Sequence, residues 1–411
     1  MRQPCVACVL AVAMLTCVFA RSGDSPRLSG YVRNYTGVLA STDAEFAVIQ
    51  NTINLSLEYR KDNVGLKITP WLYHYPRKEL ELGLREAWLD MFLGPVDIRI
   101  GKQQIIWGKG EGVFITDIVS PKDMRAFLLP DFEEIRIGVN ALKVNAYRGN
   151  HSIELAVLPQ FVPTILPETG SIWRNEPAFP VEPTIDSSAS DVPLRVDNGE
   201  VFGKYSRMSP AIDVDVMGGY LWDDDPTMHV SADLLSGRTQ SITVTPRHHR
   251  LSVAGAAFST PVLDAILRGE GAWYSGKYFA TAEVTDADGV VKKNYINYLL
   301  GADYTLWEMR LSAQFIQRAI FDYDTDIVEE KIDKMVTLRV NRTFLRETLT
   351  LELFSYIGLN EPDALVRPRV MYNFADGFRI QAGANVFAGD EGRFGRFDDN
   401  DMVYLKIRFS F

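Results

Sequence analysis

The chain has 411 residues, a formal net charge of −10 and 46% hydrophobic residues. The acidic balance excludes a nucleic-acid partner, because phosphate binding needs clustered Lys and Arg. Past residue 20 there is no uninterrupted apolar run long enough for a transmembrane helix.

The N-terminus reads as a targeting segment. Arg2 supplies a positive start, Val6 to Thr16 is apolar, and Val18-Phe19-Ala20 supplies the small or aliphatic residues a signal peptidase reads. The order predicts a leader over 1–20 and a single mature unit over 21–411. All three cysteines, Cys5, Cys8 and Cys17, lie in the leader. The mature chain therefore has neither a disulfide framework nor thiolate chemistry.

After the leader, segment after segment alternates apolar with polar residues. Ile53, Leu55, Leu57 and Tyr59 oppose Asn54, Ser56, Glu58 and Arg60. Aromatics gather near expected strand ends: Trp71 with Tyr73 and Tyr75, Tyr220 with Trp222, Trp273 with Tyr274, and Tyr304 with Trp307. Trp307, Met309, Leu311, Ala313 and Phe315 oppose Glu308, Arg310, Ser312 and Gln314. Leu349, Leu351 and Leu353 oppose Thr350 and Glu352, and Phe378, Ile380 and Ala382 oppose Arg379 and Gln381. The last segment sets Val403, Leu405, Ile407, Phe409 and Phe411 against Tyr404, Lys406, Arg408 and Ser410. In a strand the two sets face opposite sides. Runs of about ten residues suit a tilted strand crossing a bilayer.

The connections alternate in length. Lys61-Asp62, Gly94-Pro95, Arg148-Gly149-Asn150, Asp223-Asp224-Asp225-Pro226, Leu345-Arg346-Glu347 and Ala375-Asp376-Gly377 read as tight turns. Longer polar stretches fall at 105–134, 161–199, 239–246, 280–292, 321–331 and 389–400. The six prolines between Pro163 and Pro193 exclude a central strand there, so 161–199 reads as the longest external loop. Together these signals predict an all-β fold: a transmembrane antiparallel β-barrel of about 18 strands, or 16 if 27–38 and 200–210 do not pair, with both termini periplasmic. That places the protein in the bacterial outer membrane, in contact with outer-membrane lipids. A terminal strand ending on Phe411 resembles the signal read by the barrel-assembly machinery.

Residues 105–134 carry paired charge and apolar anchors. Ser120 and Pro121 predict a short helix starting there, and the whole stretch is expected to fold into the lumen as a constriction or plug. Its candidate residues are Trp107, Asp117, Asp123, Arg125, Asp131, Phe132 and Glu133. Candidate pore-lining residues are Arg310, Arg339, Arg379, Lys406 and Arg408, with Glu308 and Glu352 among them. The basic residues would form a stripe facing Asp117, Asp123, Asp131, Glu133 and Glu134 of the loop, a field that orients polar solutes.

Gly101-Lys102-Gln103-Gln104, Trp107-Gly108, Asp117, Pro121-Lys122-Asp123, Arg125 and Asp131-Phe132-Glu133 resemble the signature of a large family of proteobacterial outer-membrane proteins catalogued as a domain of unknown function. The match covers about residues 95–137, with Lys109-Gly110 where an acidic residue is expected. Genes of that family often stand beside resistance-nodulation-division type exporters of lipids or hydrophobic molecules. The resemblance therefore implies the barrel and, by association, an inner-membrane exporter as partner.

Enzyme signals are poor. His74, His151, His229, His248 and His249 lack metal-ligand spacing, and no nucleophile elbow, phosphate loop or zinc pattern occurs. Neither catalysis, a metal nor a cofactor is expected. The sequence points to a porin-like channel for small polar or amphipathic solutes. Its rival is a sealed or laterally gated barrel serving lipid or hydrophobic-compound export, for which a greasy lumen patch would speak.

Overall fold

A computed structural model describes residues 26–411, apart from 42, 77, 79, 176–178, 236–237 and 283–287. The expected leader and its cleavage point lie outside the described residues. The strands are β1 (Arg27–Leu39), β2 (Phe46–Lys61), β3 (Val64–His74), β4 (Glu81–Leu93), β5 (Val96–Gln103), β6 (Val139–Arg148), β7 (His151–Leu158) and β8 (Thr184–Ile185). Next come β9 (Glu200–Arg207), β10 (Asp213–Trp222), β11 (Thr227–Leu235), β12 (Arg238–Arg247), β13 (Arg250–Val262), β14 (Ala265–Ala280) and β15 (Val290–Leu306). The series ends with β16 (Met309–Ile320), β17 (Ile332–Phe344), β18 (Leu349–Gly358), β19 (Ala364–Ala375), β20 (Phe378–Ala388) and β21 (Met402–Ser410).

All but β8, β11 and β12 belong to one 18-stranded sheet. β1 pairs antiparallel with β21, from Tyr31 opposite Ser410 to Leu39 opposite Met402, so the sheet closes on itself. Closure leaves no edge, and every wall strand finds its backbone partners on both sides, which a hydrocarbon solvent demands. The two segments whose pairing was open both pair: β1 with β2, and β9 with β7 and β10.

The alternation of the sequence becomes the two faces of the wall. On β21 Val403, Leu405 and Ile407 point outward, whereas Met402, Tyr404 and Lys406 are buried inside. Leu405 is 41% exposed and its neighbour Lys406 only 7%, the inverse of a water-soluble sheet. The outer face is dressed for acyl chains, and the core lies within the barrel. No helix among the described residues is long and apolar enough to cross a membrane; the strands do the crossing.

Short turns close one end, at 62–63, 94–95, 149–150, 263–264, 307–308 and 376–377, and both described termini lie there. This is the periplasmic end. Three expectations need correction. Asp223 to Pro226 is not a tight wall turn. Trp222 pairs directly with Arg250, and 223–249 stands beyond the wall as an excursion. Its strands β11 and β12 form a hairpin joined by β8, so 239–246 is strand, not loop. The β-branched alternation of Ile242, Thr243, Val244 and Thr245 favours this. Trp71 and Tyr73 do not form an interfacial girdle. They stack at 4.3 Å, and buried Tyr73 accepts a hydrogen bond from Arg85. Tyr220, Trp273, Tyr304 and Trp307 do lie exposed on the outside.

Candidate functional site: the segment folded into the barrel

Between β5 and β6 the chain runs through 104–138, inside the barrel. Its first stretch is apolar on one side. Ile105, Trp107, Ile115, Ile118 and Val119 share one buried cluster with the inward-facing Phe202, Met217, Leu221, Leu251 and Val253 of β9, β10 and β13. Trp107 sets its ring edge-on to Phe202 at 6.2 Å. Each such side chain removed from water stabilises the docking by roughly 1.5–3 kcal/mol. The expected helix at Ser120 does not form. The Ser120 hydroxyl instead bonds both the N–H and the carbonyl of Ile105, and Lys122 and Asp123 bridge to Arg136 and Ile165. The cap residue is used to pin two stretches of the segment together. The one short helix here is α1 (Phe132–Ile135).

The tip of the segment reaches the far wall. Glu270 of β14 accepts from the Lys109 N–H (2.8 Å) and the Thr116 hydroxyl (2.7 Å). Gln314 of β16 accepts from the Glu111 N–H and donates to its carbonyl. The Glu111 carboxylate lies 3.2 Å from Arg339 and 3.7 Å from Arg268. Gly112 follows with φ +79, and a Cβ there would stand 2.5 Å from the Phe354 ring, so glycine alone fits. Its carbonyl accepts from the Tyr356 hydroxyl.

The returning half carries the acids. Asp131 faces Lys406 (3.7 Å) and Arg33 (3.8 Å), and Glu134 pairs with Arg33 at 2.9 Å. Arg367 donates to the carbonyls of Leu128 and Leu129, both at 2.9 Å. Phe132 packs edge-on to Phe114. Asp117 and Asp123 do not face the wall: they pair within the segment, with Arg136 at 2.6 Å and Arg125 at 2.8 Å. Arg125 also reaches Glu81 of β4 at 3.1 Å. Glu133 is exposed, and its carbonyl rather than its carboxylate accepts, from Arg85 and Gln104.

On the wall, Arg339 and Arg369 share Glu352, at 2.9 and 2.6 Å. Lys406 is buried, and Arg379 and Arg408 lie on the same inner face near the periplasmic end. Arg310, paired in register with Asn341, is exposed at the periplasmic start of β16. Glu308 is displaced from its expected place. It sits with Trp307 in a two-residue turn of positive φ, outside the strand, and pairs with Arg342 at 2.9 Å. Reading the alternation did not single out Arg33, Arg268, Glu270, Arg367 or Arg369. For Arg33 the signal was weak because Asn34 and Thr36, on the outer side of β1, are polar. Among the described residues no group of three or more His, Cys, Asp and Glu could hold a metal ion.

A closed 18-stranded wall, apolar outside, with a segment folded across its lumen defines a porin-like β-barrel of the bacterial outer membrane. The chain belongs to the family described as "Protein of unknown function (DUF1302)", whose model matches residues 41–331. Its fold is similar to that of OccK8 (OprE) of Pseudomonas aeruginosa, with a TM-score of 0.55 and 9% identity over 94% of this chain and 98% of that one. It is equally similar to OccAB3 of Acinetobacter baumannii, with a TM-score of 0.56 and 8% identity over 94% and 99% of the two chains. OccK2 (OpdF) of Pseudomonas aeruginosa in complex with glucuronate matches with a TM-score of 0.56 and 10% identity over 94% and 97%. At such identities the likeness concerns the fold. No curated protein matches the chain.

Proposed function

We propose that the protein is a porin-like channel, not an enzyme, through which small polar or amphipathic solutes cross the outer membrane, with passage limited by 104–138. The observation that carries this reading is the tethering of that segment to opposite parts of the wall, Glu111 to Arg268 and Arg339, and Glu134 to Arg33. A charged constriction held in this way sorts solutes by size and sign. The test is swelling of proteoliposomes in small sugars, amino acids and organic acids. Uptake that falls steeply with solute size supports the reading; a folded barrel that admits none of them contradicts it.

A second reading is an outer-membrane component of lipid or hydrophobic-compound export, with an inner-membrane exporter as partner. The apolar inner positions Phe202, Met217, Leu221, Leu251 and Val253 would serve it only once the segment that covers them moves away. Lipid retained by the purified barrel, together with no solute uptake, would select it. On either reading the last strand, with the exposed Phe411 directly after it, would be the part offered to the barrel-assembly machinery.

A further inference from the structure

Three arginines stand side by side on the lumen face of adjacent strands. Arg33 of β1 lies directly opposite Arg408 of β21, and Arg408 directly opposite Arg379 of β20. Like charges in direct cross-strand register destabilise a sheet, so the row calls for countercharge. Only one end of it is supplied. Arg33 has Glu134 at 2.9 Å and Asp131 at 3.8 Å. Arg408 stacks over the Tyr31 ring at 3.9 Å and donates Nε to the Ser410 hydroxyl. Arg379 donates Nε to the Asn373 amide oxygen. Among the described residues neither Arg379 nor Arg408 has a carboxylate partner.

These side chains enclose a space. Arg33, Arg379, Arg408 and Lys406, with Asp131 and Gln381, line a cavity of about 40 Å³. On the same measure one water needs roughly 10–15 Å³, so the space suits one charged headgroup and not a whole sugar. Arg33 is 3% exposed and Lys406 7%, whereas Arg379 is exposed at the rim. Arg33 Nε is buried and has no partner. Guanidinium forks match the oxygens of phosphate and carboxylate in pairs, and an ammonium adds a point charge.

We infer that this cavity binds the phosphate or carboxylate group of a small anionic solute at the periplasmic end of the lumen. The inference rests on the channel reading for how the solute arrives, but binding itself needs no transport. The Asp131 carboxylate, held beyond hydrogen-bond length at 3.7 and 3.8 Å, is the internal competitor. An arriving anion displaces it and loosens the acidic half of the inward segment.

The experiment is titration of the folded, detergent-solubilised full-length barrel with inorganic phosphate and, separately, acetate, followed calorimetrically at fixed ionic strength. Saturable binding of either anion is expected, weakened at least tenfold in the double variant Arg379→Gln, Arg408→Gln. It should be unchanged in Arg346→Gln, a turn residue outside the cavity. Asp131→Asn should tighten binding, which guards against a double variant that fails to fold. Absence of saturable binding by the folded wild type, binding indifferent to the double substitution, or weaker binding in Asp131→Asn would overturn the site. Binding without solute uptake in proteoliposomes would instead retain the site and remove the channel reading.

Discussion

Glu111 and Arg339 are 228 residues apart in the chain, yet a 3.2 Å contact ties the tip of the inward segment to β17. Arg339 in turn shares Glu352 with Arg369, so the tip is anchored to a charge network already built into the wall. The partly exposed pair contributes modestly, since solvent screens it, but it fixes where the tip stands.

Glu111→Gln keeps the shape and removes the charge. Lys109, two residues upstream, should then become a faster site of tryptic cleavage, while the wall strands stay resistant. Local opening of a docked segment governs such cleavage. Equal cleavage rates for wild type and variant would show that the apolar face alone holds the segment.

The outward face predicts a depth series. Leu405 and Leu353 lie mid-strand on the lipid side, whereas Leu351 lies nearer the periplasmic end of β18. Arg at either of the first two should cost about 2–4 kcal/mol and impair assembly, and Arg at Leu351, closer to the interface, should cost less, toward about 0–1 kcal/mol. Heat-modifiable mobility on gels measures this. Normal assembly of Leu405→Arg would refute the assignment of faces.

Acid should release the external hairpin. His229 and His249 share a ring-to-ring hydrogen bond of 2.9 Å, which needs an unprotonated acceptor nitrogen. His249 also stacks on Tyr278 at 3.9 Å. Burial, with His229, Arg247, Lys277 and His248 nearby, pushes His249 down to about 4, and burial lowers His229 too, against the pull of Asp288. The released rings, with ordinary histidine values, bind more protons than the docked ones. Docking is therefore complete above about pH 6.5 and is lost as pH falls toward 4. Hydrogen exchange over 227–247 should rise across that window in wild type and much less in His249→Phe. Identical protection at pH 7 and pH 4.5 would contradict the pairing.

Phe127 gathers the extracellular side. It stacks on Trp173 and touches Phe397 at 5.0 Å, Phe394 at 6.1 Å and Phe387 at 6.2 Å, joining the inward segment to the loops 159–199 and 389–401. Phe127→Ala should destabilise this junction by up to about 3–5 kcal/mol. The readout is faster exchange in 389–400 with the wall unchanged. Unaltered exchange there would mean that the remaining aromatics hold the loops without it.

Much of the barrel was legible because lipid and lumen differ in polarity at every second residue. Val403 to Phe411 states both faces outright. The inward course of 104–138 was legible from apolar anchors mixed with charge. Its docking was not, because Glu111 finds Gln314 and Arg339 more than 200 residues away, at distances of 203 and 228 in sequence. Asp223 to Pro226 has the composition of a hairpin turn, and only the direct pairing of Trp222 with Arg250 reveals an excursion instead. Glu308 was misplaced because its turn uses Trp307 and Glu308 at positive φ, with no Gly or Asn to mark it.

The most direct test of the central claim is single-channel recording of residues 21–411, refolded into a planar bilayer, beside the same chain carrying Glu111→Gln and Glu134→Gln. The account predicts discrete ion-conducting steps from wild type and larger steps from the double variant, because both tethers of the constriction are then weakened. Folded, heat-modifiable barrels that never conduct in either form would contradict it.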